Sequence, residues 1–280
     1  MASIESLYFY VFALFSFLVG LNFGSFANVC IYRMPLDLSV VRPRSSCPKC
    51  KKMIAWHDNI PVFSYLLLAG KCRGCGAKIS VMYPTVEFLT AVLFVLVFFK
   101  YGVSVQLFLF WLLAFSLVVI SAIDIYHRII PDIFPLILVV AGLALSVFNT
   151  TLGDGALHRL LNSAVGILAG GGSLFLVGVF GKFIYKKEAM GGGDVKLMAG
   201  VGAVIGWERV LFAIFLASFI GSIAGLFMML SKRMKSKEYL PFGPFLSAGA
   251  YAALFLPAPG VLINMLFVWE SAGINKIMGF

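Results

Sequence analysis

The chain has 280 residues, of which 61% are hydrophobic and only 12% are charged, and its mean hydropathy is +1.00. This composition excludes a water-soluble globular protein and indicates a polytopic membrane protein. The formal net charge of +10 is explained by basic loops beside an anionic lipid leaflet, so we expect the lipid bilayer and no nucleic acid as a partner.

Apolar stretches of roughly 20 residues, each long enough to cross a bilayer, recur along the chain. They predict an all-α polytopic membrane protein with about eight transmembrane helices, near residues 7–29, 83–101, 105–123, 132–149, 162–184, 194–207, 209–230 and 246–268. The stretch 194–207 is short and rich in Gly and Ala, which favours a tilted, re-entrant or closely packed helix. No Lys or Arg precedes the first stretch, so we expect it to stay in the membrane instead of being cleaved as a signal peptide.

The distribution of basic residues predicts the orientation, because cytoplasmic loops are enriched in Lys and Arg. With eight spans and the N-terminus outside, 18 of the 22 Lys and Arg residues lie on the cytoplasmic side. We therefore predict a first transmembrane segment (1–30), a cytoplasmic region (31–82) and a helical membrane domain (83–280).

The cytoplasmic region contains four of the five cysteines, arranged as two C-x-x-C pairs that are separated by 21 residues. This spacing is typical of a tetrahedral four-thiolate Zn²⁺ site. Disulfides and a redox C-x-x-C pair are the alternatives, but a reducing cytoplasm disfavours the first and the duplicated motif disfavours the second. We predict a structural Zn²⁺ that folds this small insertion, with the ligands Cys47, Cys50, Cys72 and Cys75.

Two aspartates stand where apolar stretches meet water. Asp124 follows one such stretch, and Asp194 follows Gly191, Gly192 and Gly193. An acid at a helix end is often only a cap or a solvated group. Here both acids lie on the predicted cytoplasmic side, and the glycines let a substrate backbone approach Asp194 closely. Two neighbouring carboxylates that share one proton can hydrolyse a peptide by acid–base catalysis, so we predict a catalytic pair.

Several motifs follow one another in a fixed order along most of the chain. They are Gly20-Leu-Asn-Phe-Gly-Ser-Phe-Ala-Asn-Val-Cys-Ile-Tyr-Arg-Met-Pro35, the two cysteine pairs enclosing Asp58-Asn-Ile-Pro-Val62, Tyr83-Pro-Thr-Val-Glu-Phe88, Ile130-Pro-Asp132, Gly191-Gly-Gly-Asp-Val-Lys-Leu197 and Pro241-Phe-Gly-Pro244. This order resembles the type IV prepilin peptidase family nearly end to end.

The resemblance implies that Asp124 and Asp194 are the catalytic acids of an aspartic endopeptidase in the bacterial cytoplasmic membrane. Its substrates and partners would be type IV prepilins or type II secretion pseudopilins, cut after a glycine that ends a short basic leader. It also implies that the enzyme N-methylates the new N-terminal residue with S-adenosylmethionine. The glycine block with Lys196, and Glu87, are candidate substrate contacts, although Glu87 is equally explained as an acid near a helix N-terminus.

The site of the methyl donor is less defined. No G-x-G-x-x-G motif follows a predicted strand, so we do not expect a Rossmann-type fold, and a pocket between the cysteine region and the membrane face is our hypothesis. The run Gly170-Gly-Gly172 is better explained by close helix packing.

Two other functions remain open at this point. One is a presenilin-like or signal-peptide-peptidase-like intramembrane protease, and the other is a non-enzymatic, zinc-stabilised assembly factor for pilins. A metal transporter is a weaker alternative, because the spans show no line of ionisable residues.

Overall fold

The computed structural model of the chain describes residues 2–186, 190–231 and 240–256, and their regular structure is helical. The α-helices within these ranges are α1 Ala2–Arg33, α2 Phe63–Leu67, α3 Met82–Tyr101, α4 Val105–His127, α5 Ile133–Leu145, α6 Ala156–Tyr185, α7 Gly192–Ile205, α8 Trp207–Leu230 and α9 Gly243–Phe255. The predicted all-α fold is confirmed.

Five helical segments are long and apolar enough to cross a membrane: Ser6–Leu36, Met82–Tyr101, Val105–His127, Ala156–Ile184 and Trp207–Leu230. They correspond to five of the predicted spans and agree with a multi-pass membrane protein. The spans predicted at 132–149 and 194–207 coincide with the shorter α5 and α7, and the one at 246–268 overlaps α9 and continues outside the described residues. The count of eight is therefore not confirmed.

The chain forms two compact units, Met1–Pro131 and Asp132–Phe280. In the first unit, the glycines of Gly20-x-x-x-Gly24 let α1 lie directly against α3. A Cβ atom at Gly20 would stand 2.5 Å from Ala91 Cα, and one at Gly24 would stand 2.5 Å from Glu87 Cα. Such close approach increases van der Waals contact between membrane helices. It brings Glu87 against α1.

In the second unit, α7 is surrounded by α5, α6, α8 and α9. Nearly every side chain from Leu197 to Ile205 is buried. A Cβ atom at Gly202 would collide with the carbonyl group of Gly166 on α6, and one at Gly170 would collide with the carbonyl of Met198. The packing role predicted for the 170–172 run is confirmed at Gly170. At about 1.5 Å per residue, the 14 residues of α7 span roughly 21 Å, less than a bilayer core.

Polar side chains fix the end of α7, where the helix would otherwise leave carbonyl groups unpaired. Asn149 Nδ2 donates to the carbonyl of Val204 at 2.8 Å. Gly206 adopts a positive φ of 83°, and Trp207 N donates to Asn162 Oδ1 at 3.2 Å where α8 begins. The C-terminal end of α7 is therefore anchored by the side chains of Asn149 and Asn162.

Candidate active site and metal centre

The four cysteines predicted to bind metal lie together in the first unit. Their Sγ atoms are all within 4.8 Å of one another, and Cys47 Sγ lies 3.9 Å from Cys75 Sγ. A tetrahedron of thiolates at about 2.3 Å from Zn²⁺ has S···S separations of about 3.8 Å. The donor set and its spacing thus fit a metal ion, as predicted.

The two cysteine pairs have the same backbone construction. Cys47 N donates to Lys52 O at 3.0 Å, and Cys72 N donates to Ala77 O at 2.8 Å. The turn that closes each pair contains a residue with positive φ, Lys51 in the first and Gly76 in the second. Each cysteine pair with its closing turn, called a knuckle below, is therefore a tight turn shaped by main-chain hydrogen bonds.

The pKa values of two of the thiols, Cys47 and Cys75, are shifted in opposite directions. Backbone N–H groups of Cys50 and Lys49 lower the pKa of Cys47 to about 6. The Ala77 N–H favours the thiolate of Cys75, but lost hydration and the other cysteine thiols together raise its pKa to about 11. Four thiolates this close repel one another, and a divalent cation would compensate that repulsion.

A bidentate ion pair links the second knuckle to the segment between the two cysteine pairs. Arg73 Nε lies 3.0 and 2.9 Å from the two carboxylate oxygens of Asp58, and Arg73 Nη2 lies 2.7 Å from Asp58 Oδ1. Hydrogen bonds from Arg73 hold the pKa of Asp58 below its ordinary value. Fork-shaped pairing of this kind fixes orientation as well as distance.

Glu87, which the sequence predicts as a substrate contact, holds a strained turn in the structure. Its side chain is buried at 8% exposure, and its Oε2 accepts the N–H of Val62 at 2.8 Å. Val62 has φ 63° and ψ −50°, and Phe63 N donates to Pro61 O at 2.7 Å, which defines a γ-turn. A positive φ is costly for a β-branched residue, so the Glu87 carboxylate stabilises a conformation that Val62 would not adopt alone.

A cavity of about 1140 Å³ opens between the cysteine region and the ends of α1 and α3 that face it. The residues that line it include the acids Asp58 and Glu87 and the bases Lys49 and Lys52. A cavity of ligand size therefore lies beside the cysteine region, and its use by a methyl donor stays a prediction.

Asp124, the first predicted catalytic acid, lies in the last turn of α4 in the first unit. It is 7% exposed. Its carbonyl oxygen accepts the N–H of Arg128, whose left-handed conformation ends the helix. The carboxylate therefore stands at the end of a long apolar helix, shielded from most of the solvent.

Asp194, the second predicted acid, lies in the first turn of α7 in the second unit and is partly exposed. A Cβ atom at Gly191 would lie 3.0 Å from Asp194 Oδ2, whereas one at Gly192 would meet nothing within 4 Å. Gly191 thus leaves room for the carboxylate. The helix N-terminus favours a negative charge at this position.

The predicted loop residue Lys196 makes an ion pair within the second unit. Its Nζ lies 2.8 Å from both carboxylate oxygens of Asp132, the residue immediately before α5. The Ile130-Pro-Asp132 and glycine–aspartate motifs are therefore connected through this pair. Because both side chains are more than half exposed, we expect the pair to orient the start of α7 more than to stabilise the fold.

Sequence reasoning missed two features of the first unit, the turn at Val62 and the buried amide of Asn28. Asn28 lies within an apolar helix, is 4% exposed, and donates from Nδ2 to Tyr83 O at 3.0 Å. A polar residue inside a membrane stretch is the signal that would have identified Asn28. No local signal marks Val62.

Two family models match the chain, the bacterial peptidase A24 N-terminal domain over residues 18–101 and the type IV leader peptidase family over residues 111–226. The first range contains the cysteine cluster and Glu87, and the second contains Asp124 and Asp194.

Three curated relatives are named prepilin leader peptidase/N-methyltransferase. The relative from Myxococcus xanthus is 40% identical over 79% of this chain and 64% of its own length. That from Pseudomonas aeruginosa is 35% identical over 87% of this chain and 90% of its own, and that from Bacillus subtilis is 35% identical over 85% and 91%. No solved structure matches the chain.

Proposed function

This chain belongs to the type IV leader peptidase family, and from that premise we propose that it is a membrane aspartic endopeptidase of the bacterial cytoplasmic membrane. It removes the basic leader of type IV prepilins or type II secretion pseudopilins at the cytoplasmic face, and then N-methylates the new N-terminal residue. The names of its relatives support both activities.

The observation that carries the peptidase proposal is the position of the two acids. Asp124 and Asp194 lie within the segment that matches the leader peptidase model, each at a helix end beside a family motif. We propose that they act as a pair that shares one proton. One carboxylate takes a proton from the attacking water while the other donates a proton to the scissile carbonyl oxygen, and the apparent pKa values belong to the pair.

Gly191, Gly192 and Gly193 have a role in the same proposal. An extended substrate backbone would lie along this segment, because the open space at Gly192 admits a close approach. Lys196, held by Asp132, keeps the first turn of α7 in place. Glu87 acts indirectly, by fixing the Val62 turn.

The proposed orientation rests on the basic loops, because loops rich in Lys and Arg stay on the cytoplasmic side of a membrane. A basic leader is not attracted to such loops. We propose that recognition comes from the apolar helix that follows the leader, which enters between the membrane helices of the enzyme.

We propose that the four cysteines bind Zn²⁺. A closed four-thiolate site has no open coordination position, so the ion would be structural and would hold the two knuckles together. It would also form one side of the cavity in the first unit, since Cys47 and Cys72 line that cavity.

We propose that the cavity of about 1140 Å³ is the site of S-adenosylmethionine. When bound, this cofactor supplies a methyl group on a positively charged sulfur. Lys49 and Lys52, which line the cavity, offer positive charges that complement the carboxylate end of such a ligand. The volume leaves room for the N-terminus of a peptide beside it.

The peptidase proposal is tested by cleavage of a model prepilin with purified enzyme in lipid nanodiscs. We expect Asp124→Asn and Asp194→Asn each to lower kcat at least about 1000-fold, because either change removes half of the acid–base pair. Asp154→Asn is the matched control, since Asp154 is an exposed acid in the turn before α6. Full cleavage by either Asp124→Asn or Asp194→Asn would remove that acid from the mechanism and favour an assembly factor.

A further inference from the structure

A second, smaller cavity adjoins the large one within the first unit. Its volume is about 290 Å³, and it reaches Tyr126 and His127 at the end of α4. Four residues line both cavities: Asn28, Tyr32, Ser80 and Tyr83. The two cavities therefore meet at one wall, with the proposed cofactor site on one side and the helix end that carries Asp124 on the other.

Asn28 is the polar residue buried in this shared wall. Its Nδ2 donates to the carbonyl of Tyr83 at 3.0 Å, and a carbonyl group can only accept, so the amide cannot be turned around. Its Oδ1 has no hydrogen-bond partner among the described residues, although the atom is buried. An unpaired buried acceptor costs about 1–3 kcal/mol.

Chemistry identifies what such an acceptor would bind at this wall. The nucleophile of the methylation is an α-amino group, whose ordinary pKa of roughly 7.7–8.0 leaves a fraction of it neutral at neutral pH. A neutral amine offers two N–H donors and one lone pair. An oxygen that accepts one N–H directs the lone pair away from itself.

We propose that Asn28 Oδ1 accepts a hydrogen bond from the newly cleaved N-terminal amine at this wall and presents it to the cofactor cavity, an inference that rests on the function proposed above. The amine nitrogen forms the new N–CH₃ bond with its lone pair, and the S–CH₃ bond breaks with its electrons going to sulfur, which becomes a neutral thioether. The amine loses one proton to water. Asn28 is then a catalytic residue of the methyl transfer and has no part in peptide cleavage.

Two nearly isosteric variants separate the acceptor of Asn28 from its donor. Asn28→Asp keeps an oxygen acceptor and loses the donor to Tyr83, whereas Asn28→Leu loses both. Three quantities are measured in nanodiscs: cleavage of a model prepilin, the Kd for tritiated S-adenosylmethionine by equilibrium dialysis, and methyl transfer to a precleaved peptide that begins with a free phenylalanine amine.

For Asn28→Leu we expect methyl-transfer kcat to fall roughly 10- to 100-fold, as for the loss of one hydrogen bond to a reacting polar group, with cleavage and the cofactor Kd within twofold of the wild type. For Asn28→Asp we expect methyl transfer within about fivefold of the wild type. Equal losses in both variants would assign Asn28 to the Tyr83 contact and overturn the proposal. Unchanged transfer in Asn28→Leu would also overturn the proposal, because Asn28 Oδ1 would then bind no reacting group.

A variant at an exposed position keeps the test decisive if the buried variants do not fold. Ser80 lines both cavities and is exposed, so the large side chain of Ser80→Trp fills the space where the two cavities meet without changing the core. Thr85→Trp is the control, because Thr85 is equally exposed on α3 and lines neither cavity. We expect methyl transfer to fall at least 10-fold in Ser80→Trp alone, with cleavage retained; equal transfer in the two variants would overturn the proposal.

Failure of the proposed function itself gives a different result. Wild-type enzyme that neither binds tritiated S-adenosylmethionine nor methylates the precleaved peptide would overturn both the methyl-transfer function and the role of Asn28. Wild-type enzyme that does both, together with a fully active Asn28→Leu, would overturn only the role of Asn28.

Discussion

The cysteine region of the first unit and helix α7 of the second are held in place by different interactions. Between Met34 and Val81 only Cys47, Pro61 and Ser64 are buried, and the segment relies on main-chain hydrogen bonds, the Asp58–Arg73 pair and the four thiols. In α7, by contrast, the residues from Leu197 onward are almost all buried, and glycines bring the backbones into contact.

This difference predicts which kind of change should destabilise each region. A segment without a core depends on its charged and coordinating groups, so loss of a metal ion should unfold it. A helix enclosed by other helices depends on volume, so one added methyl group should disturb it.

Metal removal is expected to have the largest effect, and only in the cysteine region. Cys72→Ser removes one ligand from a site whose binding free energy is on the order of 10 kcal/mol in small zinc domains. We expect loss of Zn²⁺ by mass spectrometry and rapid tryptic cleavage between residues 44 and 78, while the circular dichroism of the membrane helices is kept. Cys30→Ser is the matched control, since Cys30 is buried in α1 away from the cluster.

Added volume at the α6–α7 crossing is expected to have the next largest effect, this time in the second unit. A methyl group at Gly166 or Gly202 would meet the carbonyl of the other residue, so Gly166→Ala and Gly202→Ala should each destabilise the fold by about 3 kcal/mol. Thermal unfolding in detergent measures this. Gly172→Ala lies on α6, like Gly166, but has open space around it and should be neutral or slightly stabilising. Equal melting temperatures for all three variants would contradict the packing argument.

Loss of the Glu87 carboxylate tests a contact inside the first unit in which a buried side chain also makes a polar hydrogen bond. Glu87→Ala leaves the Val62 N–H unpaired and should cost about 1–3 kcal/mol locally. Hydrogen exchange of the amides from Ile60 to Ser64 would report the opening of the turn. Adding Val62→Gly should restore part of the protection, because glycine adopts a positive φ without strain. No recovery would mean that the turn conformation is not the source of the cost.

The parts of the fold that could be predicted from sequence are those with a local signal. Apolar stretches predicted the five long helices, and the duplicated C-x-x-C spacing predicted the thiol cluster, because metal coordination fixes which residues must meet. The small residues of 194–207 predicted a tilted, re-entrant or closely packed helix, and α7 is closely packed, since only small side chains allow helices to approach this far.

The parts that could not be predicted depend on residues far apart in the chain. Glu87 had two explanations from sequence, and its contact with Val62 N–H is neither, because the partner lies 25 residues away. The pairing of Asp58 with Arg73 and the burial of Asn28 in a shared cavity wall also arise only when the segments have folded together. The pairing of Asp124 with Asp194 stays a proposal.

A smaller effect is expected at Gly191, where the space available determines the position of the Asp194 carboxylate. Gly191→Ala places a Cβ atom 3.0 Å from Asp194 Oδ2, so the carboxylate must shift by a few tenths of an ångström. We expect kcat for prepilin cleavage to fall about 10-fold without a change in melting temperature, because catalysis is sensitive to small displacements. Gly225→Ala, on α8 with open space around it, should keep near-normal activity, and an equal loss in both variants would show that the contact with Asp194 is not the cause.

The smallest effect on stability is expected for the pair between Lys196 and Asp132. With 56% and 70% of the two side chains exposed, a double-mutant cycle of Lys196→Met and Asp132→Asn should give a coupling of less than about 1 kcal/mol in unfolding. The same cycle applied to kcat for cleavage should give a larger coupling, because the pair orients the first turn of α7 and hence Asp194. Since a purely stabilising ion pair would couple equally in both measurements, the ratio of the two values decides whether this exposed contact serves the fold or the active site.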